Sequence, residues 1–191
     1  TERLVRRWGL DRELVMALRQ GLPNNPTTQM DLALWDVAQR IRAQPTARQI
    51  VLAEPPEALA ERYRAGTLPH PAQEALAGFL STYGHRAVRE IDLGMPRWDE
   101  DPTYLFGVLH GYLERDPGSL APDEHFARLA SAAAKAEETL VAQARAQRLG
   151  GPKAWLLRRL TYRMRSLLGY REAPKFYVVW VFRALRRLLQ S

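Results

Sequence analysis

The chain has 191 residues, no cysteine and a formal net charge of +7. That length suits one domain able to bury a core without covalent staples. The missing thiols exclude a disulfide framework, a thiol nucleophile and a cysteine-type zinc site, and they fit a cytoplasmic protein. The charge is uneven: residues 151–191 carry ten Lys/Arg and one Glu, a net of +9, while the other 150 residues carry 18 Lys/Arg and 20 Asp/Glu, a net of −2. A basic end of this kind suggests an anionic partner: phosphate, nucleic acid, an acidic protein face or a lipid surface.

Taken in order, residues 2–20 read as helix with a break at Gly9 and a fresh cap at Asp11. Gly21–Pro26 is loop chemistry. Thr28 then offers a cap, Asp31 sits in the first turn, and Met30, Leu34, Val37 and Ile41 form one apolar stripe. Pro45 ends that helix, and short helices follow at Thr46–Leu52 and Glu57–Ala65, the second closed by Gly66. Residues 71–83 form the next, with Leu76, Phe79, Leu80 and Tyr83 on one face and Gly84 as its C-terminal stop. Asp101-Pro102 opens another, with Tyr104, Leu105, Val108, Leu109, Tyr112 and Leu113 on its inner side. Pro117-Gly118 breaks the chain. The longest helix runs from Pro122 to about Leu149 along an alanine-rich seam, Gly150-Gly151-Pro152 separates it from helix 152–168, and Pro174 opens the last helix to about Leu189.

No segment alternates as a strand would. Phe176–Phe182 is β-rich in composition, yet its surroundings make it a buried helix; it is also the longest apolar run, far short of the roughly 20 residues of a membrane span. The N-terminus carries charges throughout, unlike a signal peptide. The fold class is all-α: an irregular bundle of about eight or nine helices with one long polar loop around residues 84–101.

That loop is the most informative stretch. Phe79–Asp101, FLSTYGHRAVREIDLGMPRWDED, mixes large aromatics with alternating charge. A connection this long is either a solvated loop or a site. His85 is flanked by Arg86, Arg89, Glu90 and Asp92, a cluster that can hold an imidazole near neutrality or position an anion. No histidine falls in an HExxH or His-x-His pair, and no metal site is expected. No GxSxG, P-loop or GxGxxG motif is present, so no nucleotide cradle is expected either. A second candidate is Arg171–Lys175: two cations flanking the start of the last helix, where free N–H groups would favour an anion.

Three segments carry a resemblance. GLPNNPTTQMDLALWDVAQ is similar to a family pattern GxxGNxTTEMxLALxDLA. YGHRAVREIDLGMPRWDEDP is similar to YGHRGxxEIDLxxPRWxEDP, and REAPKF to a later Arg-Glu-x-x-Lys element. Over about residues 13–185 the chain resembles the helical acceptor-binding region of the phosphoenolpyruvate synthase-like, rifampicin phosphotransferase family. The resemblance implies an acceptor-binding domain of a larger ATP-dependent enzyme. An ATP-grasp domain and a swivelling phosphohistidine domain of the parent chain would be its partners. ATP and Mg are expected for the full-length enzyme and neither for this chain, which alone is expected to be inactive. The expected ligand is a small acceptor, pyruvate-like or a hydroxylated natural product, with no nucleic acid. The implied acceptor- or phosphoryl-binding set is His85, Arg86, Glu90, Asp92, Arg97, Trp98, Arg171 and Lys175. The cations would surround the moving group, Tyr83 and Trp98 would exclude water, and Glu90 and Asp92 would orient the arginines. The phosphohistidine itself is not carried over to His85. Two positions depart from the pattern: Ala87 stands for Gly, and Gln29 for Glu. Two alternatives stay open: a non-catalytic helical module whose basic 151–191 face binds nucleic acid or acidic lipid, and a scaffold or oligomerisation bundle.

Overall fold

Proline and glycine punctuate the chain, and the helices fall between them. The computed structural model describes residues 1–115 and 121–190; the expected break at Pro117-Gly118 lies outside these. The helices are α1 (Glu2–Arg7), α2 (Leu14–Ala17), α3 (Pro26–Arg42), α4 (Pro45–Ala53), α5 (Pro56–Arg64), α6 (His70–Tyr83), α7 (Thr103–Glu114), α8 (Pro122–Arg145), α9 (Gly150–Gly169) and α10 (Ala173–Gln190), with a 3-10 turn at Tyr170–Glu172. Among the described residues there is no strand, and no helix is long and apolar enough to cross a membrane. The all-α irregular bundle is therefore observed. The eight longer helices, α3 to α10, match those read from the sequence, while segment 2–20 divides into two short ones.

The chain forms two compact units. One comprises Thr1–Pro26 with Leu120–Ala173, the other Thr27–Ser119 with Pro174–Ser191. In the first unit, α8 lies along α9 and α2 packs on α8. Its core joins Val5, Leu10, Val15 and Leu18 to Ala136, Leu140, Val141 and Ala144 of α8 and to Ala154 and Leu157 of α9. The alanines keep α8 thin enough for close approach. Arg165 of α9 ties the unit together. Its guanidinium donates to the carbonyls of Leu18 (2.7 Å), Gln20 (3.1 Å) and Gly21 (2.8 Å).

The second unit is built around α7. Leu105, Phe106, Leu109 and Leu113 are buried against Leu34, Val37, Ala38 and Ile41 of α3, Val51 of α4, Leu59 of α5, and Leu76 and Phe79 of α6. Each such side chain contributes roughly 1.5–3 kcal/mol on burial. The last turn of α7 has no basic residue of its own. Its carbonyls are instead satisfied from neighbouring helices: Arg42 of α3 donates to Tyr112 O and Arg48 of α4 to Leu113 O.

Several boundaries differ from the sequence reading. Proline starts more helices than expected: α3 begins at Pro26, ahead of Thr28, and Pro45 opens α4 as well as ending α3. Pro102 is the N-cap of α7, one residue later than expected. Asp101 still serves the helix start, accepting from the Thr103 N–H (3.1 Å) and hydroxyl (2.6 Å). α8 ends at Arg145 and α9 starts at Gly150, because Leu149 itself takes the left-handed turn (φ +60°). Gly84 is right-handed (φ −61°), not a left-handed stop; an added Cβ there would lie 2.8 Å from the Asp99 Cβ, so the glycine serves close approach. Residues 176–182 are helical as expected but not buried as a whole. Only Val179 is; Tyr177, Val178, Trp180 and Val181 face solvent.

Gly169 packs against the Gly21–Pro26 loop so closely that a Cβ would sit 1.7 Å from the Pro23 carbonyl oxygen. Gly169→Ala should therefore destabilise the chain by about 2 kcal/mol. Urea denaturation would show this as a lowered midpoint, and an unchanged midpoint would contradict the contact.

Candidate functional site

The loop at 84–102 has no helix or strand, yet its key side chains are buried. Two backbone bonds close it: Asp99 N–H donates to Gly84 O (3.0 Å) and Trp98 N–H to Arg86 O (2.9 Å). Arg97 fills its centre at 0% exposure. Its guanidinium donates to the carbonyls of Glu90 (2.9 Å) and Asp92 (3.3 Å), and its N–H to Glu100 Oε2 (3.2 Å). A loop without a ladder must satisfy its backbone some other way, and one buried arginine does much of it. Burial pulls the Arg97 pKa down, helped by Arg186 and opposed by Glu100, Glu90 and Asp92. Asp92 is exposed and holds a turn by accepting from Gly94 N–H (2.8 Å).

α10 clamps the loop by charge. Lys175 Nζ lies 2.6 Å from Glu90 Oε2. Arg183 and Arg187 pair with Asp99, the latter at 3.2 Å. Arg186 donates to Glu100 (2.9 Å) and to the Leu93 carbonyl (2.6 Å). Between these pairs Phe176 enters the loop. Its ring meets His85 edge-on at 4.4 Å and Tyr83 at 6.3 Å, and the Arg86 guanidinium lies 6.0 Å from its centroid. The cations of α10 thus bind the chain's own carboxylates.

His85 is 1% exposed. Its pKa is lowered to about 4, first by burial and then by Arg86 and Arg183, against a hydrogen bond to the Thr82 backbone and the charge of Glu90. The ring is a neutral packing element whose Nε2 is buried and has no hydrogen-bond partner.

Beside the loop lies a cavity of about 450 Å³. Its charged lining is Arg86, Glu90, Lys175 and Asp31. Arg86 and Glu90 form a buried ion pair, and Lys175 adds a second cation to the same carboxylate. Its aromatic wall is Phe79, Trp98 and Tyr104. The Trp98 indole stacks on Tyr104 (6.0 Å, 11°) and tilts against Phe79 (6.3 Å). Trp98 Nε1 is buried with no acceptor. Met30, Leu34, Leu105 and Val108 supply the apolar floor, with Tyr112 and the Ala87 methyl. Ala87 has an ordinary negative φ, so the residue that departs from the family pattern adds a methyl to the wall without backbone strain.

Of the predicted residues, the structure brings His85, Arg86, Glu90, Asp92, Arg97, Trp98 and Lys175 into one loop and helix start. Of these, Arg86, Glu90, Trp98 and Lys175 line the cavity. Arg171 belongs to the first unit, on the 3-10 turn, where its guanidinium meets Glu172 at 3.1 Å. Of the N–H groups expected to be open beside it, that of Ala173 already donates to Tyr170 O, and Pro174 has none. Sequence reasoning missed Asp31, Tyr104 and Tyr112 as site residues, having assigned them to helix patterning. It also missed Phe176, although that residue closes the REAPKF element. Among the described residues no group of three His, Asp or Glu could hold a metal ion.

The sequence model of the rifampicin phosphotransferase fourth domain matches residues 1–172. The chain belongs to the rifampicin phosphotransferase family. Relatives include rifampicin phosphotransferases from Streptomyces sviceus, 30% identical over 90% of this chain, and from Bacillus cereus, 26% identical over 92%. A prodigiosin synthesizing transferase from Serratia marcescens is 27% identical over 51% of the chain. The chain spans about a fifth of the length of the rifampicin phosphotransferases it matches, so it corresponds to one part of a phosphotransferase.

The buried imidazole makes stability pH-dependent. The folded ring protonates near 4 and an unfolded one near 6.5, so the unfolded chain takes up the proton first as pH falls. The contribution is complete above pH 6.5 and is lost between 6.5 and 4, by about 3 kcal/mol. Denaturation across this range should show the decline, and a smaller one for His85→Gln. Equal slopes in the two proteins would sink the assignment.

Proposed function

We propose that this chain is the acceptor-binding helical domain of an ATP-dependent, phosphohistidine-mediated phosphotransferase acting in the cytoplasm, with the cavity of the second unit as the acceptor seat. One observation carries the reading: the cavity places two cations, Arg86 and Lys175, against a wall of aromatic and apolar side chains. Phosphoryl transfer needs cations around the moving group and a surface that excludes water, and both requirements are met by residues of one cavity.

The size of the cavity bears on the acceptor. About 450 Å³ falls in the usual range for small-molecule sites and far exceeds what a three-carbon keto acid fills. The lining is mostly aromatic and aliphatic, with a few polar groups. We therefore favour a hydroxylated natural product of the rifampicin kind over pyruvate. Tyr104 and Phe79 support its apolar surface.

In this reading the residues divide their work. Lys175, with its side chain 55% exposed, is the cation that can turn from Glu90 to an arriving phosphoryl group. Arg86 holds the field from beneath, fixed by Glu90. Arg97, Asp92 and His85 keep the loop in shape. Arg171 stays a proposed phosphoryl-binding residue on sequence grounds alone. ATP and Mg belong, by this proposal, to the ATP-grasp domain of the parent enzyme, and a swivelling histidine domain carries the phosphoryl group. The basic-face alternative loses weight because Lys175, Arg183, Arg186 and Arg187 are engaged by Glu90, Asp99 and Glu100.

In the parent enzyme, Lys175→Met should lower transfer to rifampicin by about a hundredfold, the scale of removing one charge-stabilising donor. Thermal unfolding of the chain should stay as in the wild type, because Glu90 keeps Arg86. Rifampicin should raise the unfolding temperature of the chain itself, and pyruvate should not. Unchanged turnover in the variant, or stabilisation by pyruvate alone, would overturn the reading.

A further inference from the structure

We propose that Asp31 is the general base that removes the acceptor's hydroxyl proton, a role that rests on the acceptor-binding reading above. Two carboxylates line the cavity, and their surroundings differ. Glu90 is buried and held by Arg86 and Lys175, so its charge is engaged. None of the ion pairs among the described residues includes Asp31. It stands on α3, one turn before Leu34, at the edge of the same cavity and exposed to water, with a route for the proton to leave.

The groups facing it come from three elements. Arg86 and Glu90 belong to the loop, Tyr104 and Tyr112 to α7, and Lys175 to α10. Burial raises the Asp31 pKa above the ordinary aspartate value, and Arg86 draws it back. The same carboxylate raises the Tyr112 pKa, after burial and ahead of Tyr104. A carboxylate in this setting is a better proton acceptor than a solvated one. Paired carboxyl groups with contrasting environments commonly divide into a structural anion and a working base.

Trp98 belongs to the same cavity and carries an unpaired polar atom. Trp98 is 6% exposed, lines the cavity, and has a buried Nε1 without an acceptor. A buried donor left unsatisfied costs roughly 1–3 kcal/mol unless something arrives to accept from it. Neither remaining basic group in the neighbourhood can serve as the base. His85 is packed on Phe176 behind the cavity, and Glu90 would have to leave two cations.

The acceptor hydroxyl oxygen attacks the phosphorus of a phosphohistidine presented by the carrier domain. The new P–O bond forms as the P–N bond breaks, and the electron pair of that bond returns to the imidazole nitrogen. The hydroxyl proton passes to an Asp31 carboxylate oxygen and then to water.

The test uses the parent enzyme with rifampicin as probe, comparing Asp31→Asn and Asp31→Glu with the wild type, and measuring ATP-dependent phosphorylation of the carrier separately. Asp31→Asn should lower kcat by about a hundredfold or more, leave the KM for rifampicin within about threefold, and leave carrier phosphorylation intact. The wild-type fall of kcat on the acid side should vanish in this variant, and Asp31→Glu should recover part of the rate. A kcat within about threefold of wild type for Asp31→Asn, or a loss confined to KM, overturns the base assignment and leaves the acceptor-binding reading standing. A wild-type enzyme that neither binds nor phosphorylates rifampicin overturns that reading, and this inference with it.

Discussion

The second unit depends on a clamp of opposite charges. Glu90, Asp99 and Glu100 of an irregular loop face Lys175, Arg183, Arg186 and Arg187 of α10. These pairs engage four of the ten cations of the basic end. Within the second unit, α10 and the loop are complementary in charge. Pairs of this kind cost desolvation as well as gaining attraction, and their net contribution to stability is small. Their larger effect is on specificity of arrangement: Lys175 must be near Glu90, and Phe176 then has one place to go.

Arg97 is the complementary constraint inside the loop. A buried guanidinium is expensive to leave unpaired, and here it is satisfied by carbonyls of its own loop. The loop can therefore be irregular and rigid at once. Such a surface carries backbone-directed groups and polar side chains that a helix face could not place side by side. Arg86, Glu90 and Trp98 come within one cavity only because the chain between them turns back on itself, with Asp99 N–H on Gly84 O.

Much of this was legible in the sequence, and the remainder was hidden for identifiable reasons. Prolines and glycines marked most helix starts and stops, since each acts on its own backbone. The density of charge and aromatics singled out the loop, and its partnership with Lys175 was expected. What stayed hidden needed three dimensions. Asp31, Tyr104 and Tyr112 sit in ordinary amphipathic patterns, and nothing local says that those stripes end at a cavity. The exposed side of α10 illustrates a different limit. The flanking sequence placed Tyr177, Trp180 and Val181 in a helix against their β-rich composition, but the covered side is chosen by Phe176, Val179 and the arginines, whose partners lie some 90 positions away. Gly84 does end α6, as expected, but in a right-handed conformation; the Leu80 carbonyl and Asp99 crowd the place where a side chain would go.

The cavity's charges also differ in how freely they can respond. Arg86, Glu90, Lys175 and Asp31 give two positive and two negative groups, a nearly neutral resting set. Arg86, itself only 5% exposed, cannot leave Glu90 without becoming a buried guanidinium that lacks its ion-pair partner, a loss of several kcal/mol. Lys175 can leave, because Arg86 remains as partner and water already reaches its ammonium end. A dianionic group entering the cavity would thus meet one fixed cation and one that can reorient. The fixed one sets the field at little reorganisation cost, and the movable one can follow the charge as it shifts from donor to acceptor. Exchanging the two residue types would reverse this: a buried lysine would lose its charge more readily, and an exposed arginine would hold a bidentate grip that resists release.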